Sequence, residues 1–397
     1  MARATIELQD FLGDPFGTLE RARQAGWLAN LEFATGVVTY ADVRELLGDP
    51  RLRANITDFL HAFGITSGPF YQWMAMSPLN LDGPEHLRWR AVLSRTFTPR
   101  RVEQIRPFLR TAAHELIDGF AARGTCEFVG EFADAYPSLG LCELIGVPFE
   151  DRERFRSWAN TIGLGFSPIE LLPRIAEVDA ALTALLDYTS ELAAKRRAEP
   201  RDDLITRIAQ AGREDGWTDE MIHGAIAGLV FAGHETTKNQ LGWMVSVLSE
   251  RPEIWDGVAT GDLDVANVVE EVLRYRSAAT GVGRSVAEPI ERNGERLEPG
   301  TQVFLSVWSA DHDEAAFPKP KDIAPAHNGE VPHIAFGHGA HHCLGAALAR
   351  AELQEALAAL TTRLSCPSVG ADAMWKPAVG INGPVRLPIT FAARSGR

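Results

Sequence analysis

The stretch FGHGAHHCLG, Phe336–Gly345, places three histidines, one cysteine and three glycines in ten residues. Its reading decides the fold. A structural zinc site needs four ligands, usually as two close pairs. His338 and His341 have the spacing of one pair, but no second pair follows, and the adjacent His342 and Cys343 point in different directions. A lone cysteine behind a glycine turn can also be a small buried hydrophobe. Two details point elsewhere. Cys343 stands at the head of the helical pattern CLGAALARAELQEALAALTTRL, and a helix N-terminus stabilises a thiolate. Gly337, Gly339 and Gly345 leave room for a flat object against the backbone and free amides to approach the sulfur. A thiolate held in this way can be an axial ligand of haem iron.

The rest of the composition sets bounds. With 397 residues and 45% hydrophobic content the chain can bury a large core. A formal net charge of -14 disfavours nucleic acid and anionic membrane as partners. Four cysteines without a CxxC pair do not make a disulfide scaffold, and they suit a reducing cytoplasm. The start, MARATIELQDFLGDPFG, lacks the apolar core of a signal peptide. The apolar run AIAGLVFAG is about half the roughly 20 residues of a membrane-spanning helix. The expectation is a cytoplasmic monomer that binds neither membrane nor nucleic acid.

Hydrophobic periodicity predicts a mainly α fold with a minor β part, as one domain over residues 1–397. Residues 100–122, 128–146, 151–162 and 174–198 read as helices. Thr218 reads as the N-cap of a helix of about thirty residues without proline, apolar nearly all round in its middle. Such a helix belongs at the centre of a large fold. Residues 264–276 and 343–363 are further helices, and 280–308 alternate as strands around the turns RNGE and EPG.

Phe336, Gly337, Gly339, His341, Cys343 and Gly345 resemble the haem-binding loop FGxGxHxCxG of the cytochrome P450 family. The resemblance implies the cytochrome P450 fold, with haem b between the long central helix and the cysteine loop. It makes Cys343 the iron ligand, places Phe336 beside the sulfur with Gly337 and Gly345 around it, and gives His341 a haem propionate. Three further stretches extend it. In AGHETT, Ala232 would lie against the haem, Glu235 would supply protons, and Thr236 would hold activated dioxygen and its water in a local opening of the helix. Gly233 weakens that helix by about 1 kcal/mol relative to alanine. In EEVLR, Glu271 and Arg274 resemble the buried structural pair, although read alone they are an ordinary surface i,i+3 pair. The family's further arginine is missing from FPKPKDIAPAHNGEVPH, where His327 is a possible substitute. In DGPEHLRWR, His86 and Arg90 share a helical face and would bind haem propionates, together with Arg284 of GVGRSV.

The activity so implied is a monooxygenase that activates dioxygen and oxidises an apolar or aromatic secondary-metabolite intermediate of polyketide type, free or tethered to a carrier protein. Desaturation, coupling or peroxide-driven oxidation is the alternative. A non-catalytic haem sensor is disfavoured by the intact Glu235–Thr236 pair. Electrons would come from NAD(P)H through a ferredoxin reductase and a ferredoxin, with Arg88, Arg95, Arg100, Arg101 and Arg350 as docking charges. The expected substrate pocket comprises Phe59, Phe63, Phe70, Trp73, Phe166, Val230, Ala279, Val282 and Ile381. Residues 59–76 and 162–172 are expected to act as mobile lids.

Overall fold

A 31-residue helix, Asp219–Ser249, organises the chain. Thr218 caps it by accepting from the Met221 amide at 3.3 Å, and Asp219 and Glu220 face the positive end of its dipole. Its middle is apolar all round because it is surrounded: helices Ala135–Ile145, Arg152–Gly163 and Ile175–Ala198 pack on it, as does Ala346–Arg363. The computed structural model describes residues 3–325 and 331–394; His327 lies outside them.

The β part sits to one side with its own apolar cluster, which includes Val37, Val43, Leu52, Val303 and Leu305. Its main sheet runs, in spatial order, Ala4–Thr5, Leu28–Asn30, Thr35–Val37, Gln302–Leu305, Val282–Val286 and Leu52–Arg53. The expected RNGE turn closes a hairpin in which Arg292 pairs with Glu295. Asn293 and Gly294 both take positive φ (50° and 77°), the two-residue geometry that matches strand twist. The mainly helical class therefore holds; the strands Val282–Val286, Ile290–Arg292, Glu295–Leu297 and Gln302–Leu305 fall in the stretch where alternation placed them, whereas Ala4–Thr5, Thr125–Glu127 and the strands between Ser368 and Thr390 do not.

Two departures bear on the site. The helix after the cysteine begins at Ala346, not at Cys343. Cys343 instead lies in an extended loop, where its amide donates to the Phe336 carbonyl at 2.9 Å. Gly339 in that loop has φ 74°, and a Cβ there would stand 2.9 Å from the Gly48 Cα, so the loop can approach the neighbouring chain only with glycine. The central helix is also unbroken through Ala232–Thr237, against the expected opening. Gly233 has a packing reason: a Cβ would lie 2.8 Å from Leu141 Cδ2.

The Glu271–Arg274 pair is internal rather than a surface pair. Arg274 reaches Glu271 at 3.0 Å and donates to the carbonyls of Asp311, Pro320 and Asp322 at 3.0, 3.0 and 2.8 Å. One guanidinium thus ties down the irregular segment that leads into the cysteine loop.

Candidate active site

A cavity of about 1230 Å³ opens between the central helix and the cysteine loop. It exceeds the roughly 300–1,000 Å³ of ordinary ligand pockets, so it can take a flat cofactor and a second molecule. His86, Arg90, Ala232, Arg284, Phe336, Gly337, His341, Cys343 and Gly345 all border it. Among the described residues no group of three histidine, cysteine or acidic side chains gathers in a metal-holding cluster.

The sulfur of Cys343 is reached from the cavity but is otherwise enclosed by protein. Burial raises its thiol pKa, while the Gly345 and Ala346 amides and the Arg90 and Arg350 guanidinia pull the other way. Those donors await negative charge on sulfur. Phe336 is fixed from behind: Arg350 lies 4.5 Å from its ring centre and pairs with Glu270 at 2.7 Å. Glu270 also meets His333 at 3.1 Å. Sequence reading named Glu271 and missed its neighbour Glu270, which holds the loop from the same helix.

One edge of the cavity is basic. The rings of His86 and His341 stack with centroids 4.0 Å apart. His341 meets Asp82 at 2.9 Å. Burial, then His341 and Arg90, lower the His86 pKa to about 4. Arg284 is buried and donates to the Gly283 carbonyl; Arg90 donates to the His342 carbonyl. Among the described residues neither guanidinium pairs with a carboxylate. A buried guanidinium and a half-buried one, neither with an acid partner, fit a ligand that brings carboxylates of its own. Together with a soft sulfur ligand and apolar walls, this donor set fits an iron porphyrin with two propionates.

On the central helix, Thr236 borders the cavity and its hydroxyl donates to the Ala232 carbonyl at 2.6 Å. Glu235 does not border it. Its Oε2 lies 2.5 Å from Lys238 Nζ, and its Oε1 pairs with Lys376 and accepts from Asn239 at 2.8 Å. Burial works to raise its pKa, but the two lysines outweigh burial and bring it to about 2. The expectation of a proton donor beside Thr236 is corrected accordingly: Glu235 is an ionised, clamped carboxylate.

Phe59, Phe63, Trp73, Phe166, Ala279, Val282 and Ile381 line the cavity. Phe70 and Val230 do not, and both are fully buried in the core. Phe70 fits under Gly165, where a Cβ would come within 2.3 Å of its ring. Beside Val230, about 100° further round the helix, Phe231 takes the wall position. It stacks on Phe166 at 4.0 Å and 13°, and meets Trp73 edge-on at 5.4 Å. At the mouth, Phe33, Phe59, Met76 and Leu79 are exposed apolar side chains. The anticipated docking arginines are mostly compensated: Arg88 and Arg95 face Asp215, Arg101 faces Asp202 and Arg350 faces Glu270. Arg100 is exposed.

Among the described residues no helix is long and apolar enough to cross a membrane. The family model Cytochrome P450 matches residues 265–370. Luteothin monooxygenase of Streptomyces thioluteus is 34% identical over 373 residues, which cover 94% of this chain and 92% of that protein. P450BioI, solved in complex with hexadec-9Z-enoic acid ligated acyl carrier protein, superposes with a TM-score of 0.88 at 29% identity, over 96% of this chain and 99% of that one. The bacillaene polyketide synthase cytochrome P450 PksS of Bacillus subtilis 168 gives a TM-score of 0.87 at 27% identity, over 96% and 98%.

Proposed function

We propose a substrate class and a division of labour from one premise: this chain belongs to the cytochrome P450 family, and it is a monooxygenase with a haem cofactor. The bound haem supplies the activation of dioxygen and the transfer of one oxygen atom. Cys343 holds the iron through its thiolate. His86, Arg90, His341 and Arg284 hold the propionates. Thr236 presents its hydroxyl to the reacting side of the cavity, and the clamped Glu235 fixes the helical turn that carries it. Electrons come from NAD(P)H through a ferredoxin reductase and a ferredoxin.

The substrate is an apolar or aromatic intermediate of secondary metabolism, of polyketide type. The observation that carries this reading is the cavity itself. It has more volume than a single flat cofactor needs, and an aromatic wall of Trp73, Phe166 and Phe231 under an apolar mouth. The names of luteothin monooxygenase and the polyketide synthase cytochrome P450 support the class. The likeness to a cytochrome P450 solved with a loaded acyl carrier protein supports a carrier-tethered form of the substrate.

Two measurements test this. The reduced carbon-monoxide complex of the purified protein is expected to show the thiolate-type Soret band, and Cys343→Ala is expected to lose it. Retention of the full band in Cys343→Ala overturns the ligand assignment. A panel of polyketide intermediates, free and carrier-bound, is then screened for a Soret shift and for oxygenated product by mass spectrometry. Shifts confined to small polar compounds overturn the substrate class.

A further inference from the structure

Asp311 is a buried acid that the reading above does not use. It follows the short helix Val307–Ala310, is 1% exposed and does not border the cavity. Its Oδ1 accepts from the Ile334 amide at 2.9 Å, and among the described residues its buried Oδ2 has no hydrogen-bond partner. Ile334 is itself buried and is held at both ends, since its carbonyl accepts from the Gly337 amide at 2.8 Å. The carbonyl of that same peptide unit, on Phe336, accepts from the Cys343 amide at 2.9 Å. In the other direction, the backbone carbonyl of Asp311 accepts one N–H of Arg274 at 3.0 Å. A run of hydrogen bonds thus leads from the Glu271–Arg274 pair, through Asp311 and Ile334, to the residue that carries the sulfur.

The surroundings decide the state of this carboxyl. The titratable or charged side chains that face it are Arg274 and Glu271 on the helix Val265–Tyr275, His333 on the loop segment and Tyr40 on the helix Tyr40–Leu46. Each is already engaged. Arg274 is spread over Glu271 and three carbonyls, His333 meets Glu270 at 3.1 Å, and the Tyr40 hydroxyl donates to the Pro332 carbonyl at 2.6 Å. The chain neighbours of Asp311 turn elsewhere: His312 packs on Phe16 and Tyr275, and Asp313 accepts from the Tyr40 amide at 2.8 Å. An unpaired buried carboxylate costs far more than a neutral acid. Burial pushes the Asp311 pKa up to about 7, against the pull of His333, the Ile334 amide and Arg274. Ionisation calls for a cation or water at Oδ2. Arg274 can answer only by leaving its carbonyls, and water only by parting Ile334 from the acid. Either move slackens the segment that leads to Phe336.

We propose that Asp311 is a positioning residue of the haem site: as a neutral acid it holds the peptide between Phe336 and Gly337 through Ile334, and when it ionises the cysteine loop slackens and the grip on haem weakens. Asp311 acts through Ile334 alone and touches neither Cys343 nor the cavity. The proposal rests on the haem-thiolate reading, because the loop it steadies is the one that carries Cys343. Asparagine has the shape of the neutral acid, keeps the carbonyl that accepts from Ile334 and cannot ionise, so Asp311→Asn separates the two states of the carboxyl.

The test follows haem transfer from the loaded protein to an excess of apomyoglobin. In the wild type the transfer rate is expected to rise roughly tenfold as pH increases through about 7. Asp311→Asn is expected to keep the slow rate across the range. Asp311→Ala, which leaves the Ile334 amide without its acceptor, is expected to be fast throughout. Hydrogen exchange at the Ile334 amide is read in the same proteins. There the wild type is expected to match Asp311→Asn on the acid side of about pH 7 and to fall behind it in protection on the alkaline side. A pH step that survives Asp311→Asn, a wild-type rate that is flat across the range, or an Asp311→Ala protein as slow as the wild type in acid overturns the proposal. The thiolate-type Soret band is scored separately, so failure of the haem-thiolate reading is told apart from failure of this one. If Asp311→Ala does not fold, the contrast between wild type and Asp311→Asn still decides.

Discussion

Lys376, from the hairpin near the C-terminus, forms a buried ion pair with Glu235 in the middle of the central helix. The same lysine precedes Ala378–Ile381, which line the cavity. The pair therefore pins a wall of the substrate pocket to the helix that carries Thr236. Lys376→Met leaves Lys238 as the one cation on the carboxylate, beside the Asn239 amide. It is expected to cost about 2 kcal/mol, less than the 3–5 kcal/mol for breaking a lone buried pair, and to weaken substrate binding more than haem binding. Thermal unfolding and spectral titration measure the two effects. The acid limb follows from the same geometry. The Glu235 pKa is depressed in the fold from an ordinary 4.5 to about 2, so its contribution is present above pH 4.5 and is lost as pH falls towards 2. About 3 kcal/mol is at stake, and Lys376→Met should flatten that limb.

Thr236→Ala removes the hydroxyl that bonds to the Ala232 carbonyl. The helix keeps its ladder of backbone bonds, so stability is expected to change by less than about 1 kcal/mol. Substrate-induced spectral shifts are expected to persist while product per NAD(P)H falls several-fold and peroxide rises. Full coupling in Thr236→Ala would mean that another group orients the proton donor.

Arg274→Ala leaves the Glu271 carboxylate and three carbonyls without their shared donor. The expected loss is at least 3 kcal/mol, in the range for one partner of a buried pair. Because the freed segment leads into the cysteine loop, haem retention on gel filtration is expected to fall before helical circular dichroism does. Arg274→Lys is expected to rescue little, since an ammonium cannot span the same set of acceptors.

Phe166 ties residues 162–172 to the central helix through its stack on Phe231. Gly380, at φ 71°, accepts that segment so closely that a Cβ would lie 2.0 Å from the Phe166 carbonyl oxygen. Such a segment can lift only as a unit. Hydrogen exchange with and without a spin-shifting ligand is expected to change at 162–172 and 59–76, and Phe166→Ala to raise exchange in both without ligand. Protection that changes only elsewhere places the entrance on another face.

The fold was legible wherever periodicity was strong. Thr218 marked the start of the central helix, and RNGE marked a hairpin, because caps and tight turns are local. The cofactor wall was legible through Cys343 and its glycines. Phe231 and Glu270 were not, since each adjoins the residue that was chosen, Val230 and Glu271, and only tertiary packing decides which side of a helix faces a cavity. The state of Glu235 was hidden for a similar reason. Lys376 lies 141 residues away, and no local pattern announces a partner at that distance.

Glu352→Gln offers a stability test that needs no substrate. Burial holds the Glu352 pKa well above its ordinary 4.5, so the folded protein keeps a proton that the unfolded chain gives up as pH rises through 4.5. The sign is the reverse of that for Glu235: this contribution is fully present below pH 4.5 and is lost with increasing pH. Each pH unit above 4.5 over which the folded carboxyl stays neutral costs about 1.4 kcal/mol. Glutamine has nearly the same shape and no proton to lose. Glu352→Gln is therefore expected to match the wild type near pH 4 and to become progressively more stable than it towards neutral pH. Thermal melts of the haem-loaded proteins across that range measure the difference. A difference between the two proteins that does not change with pH would mean that the Glu352 carboxyl titrates in the fold as it does in the unfolded chain, and the buried neutral acid would fall with it.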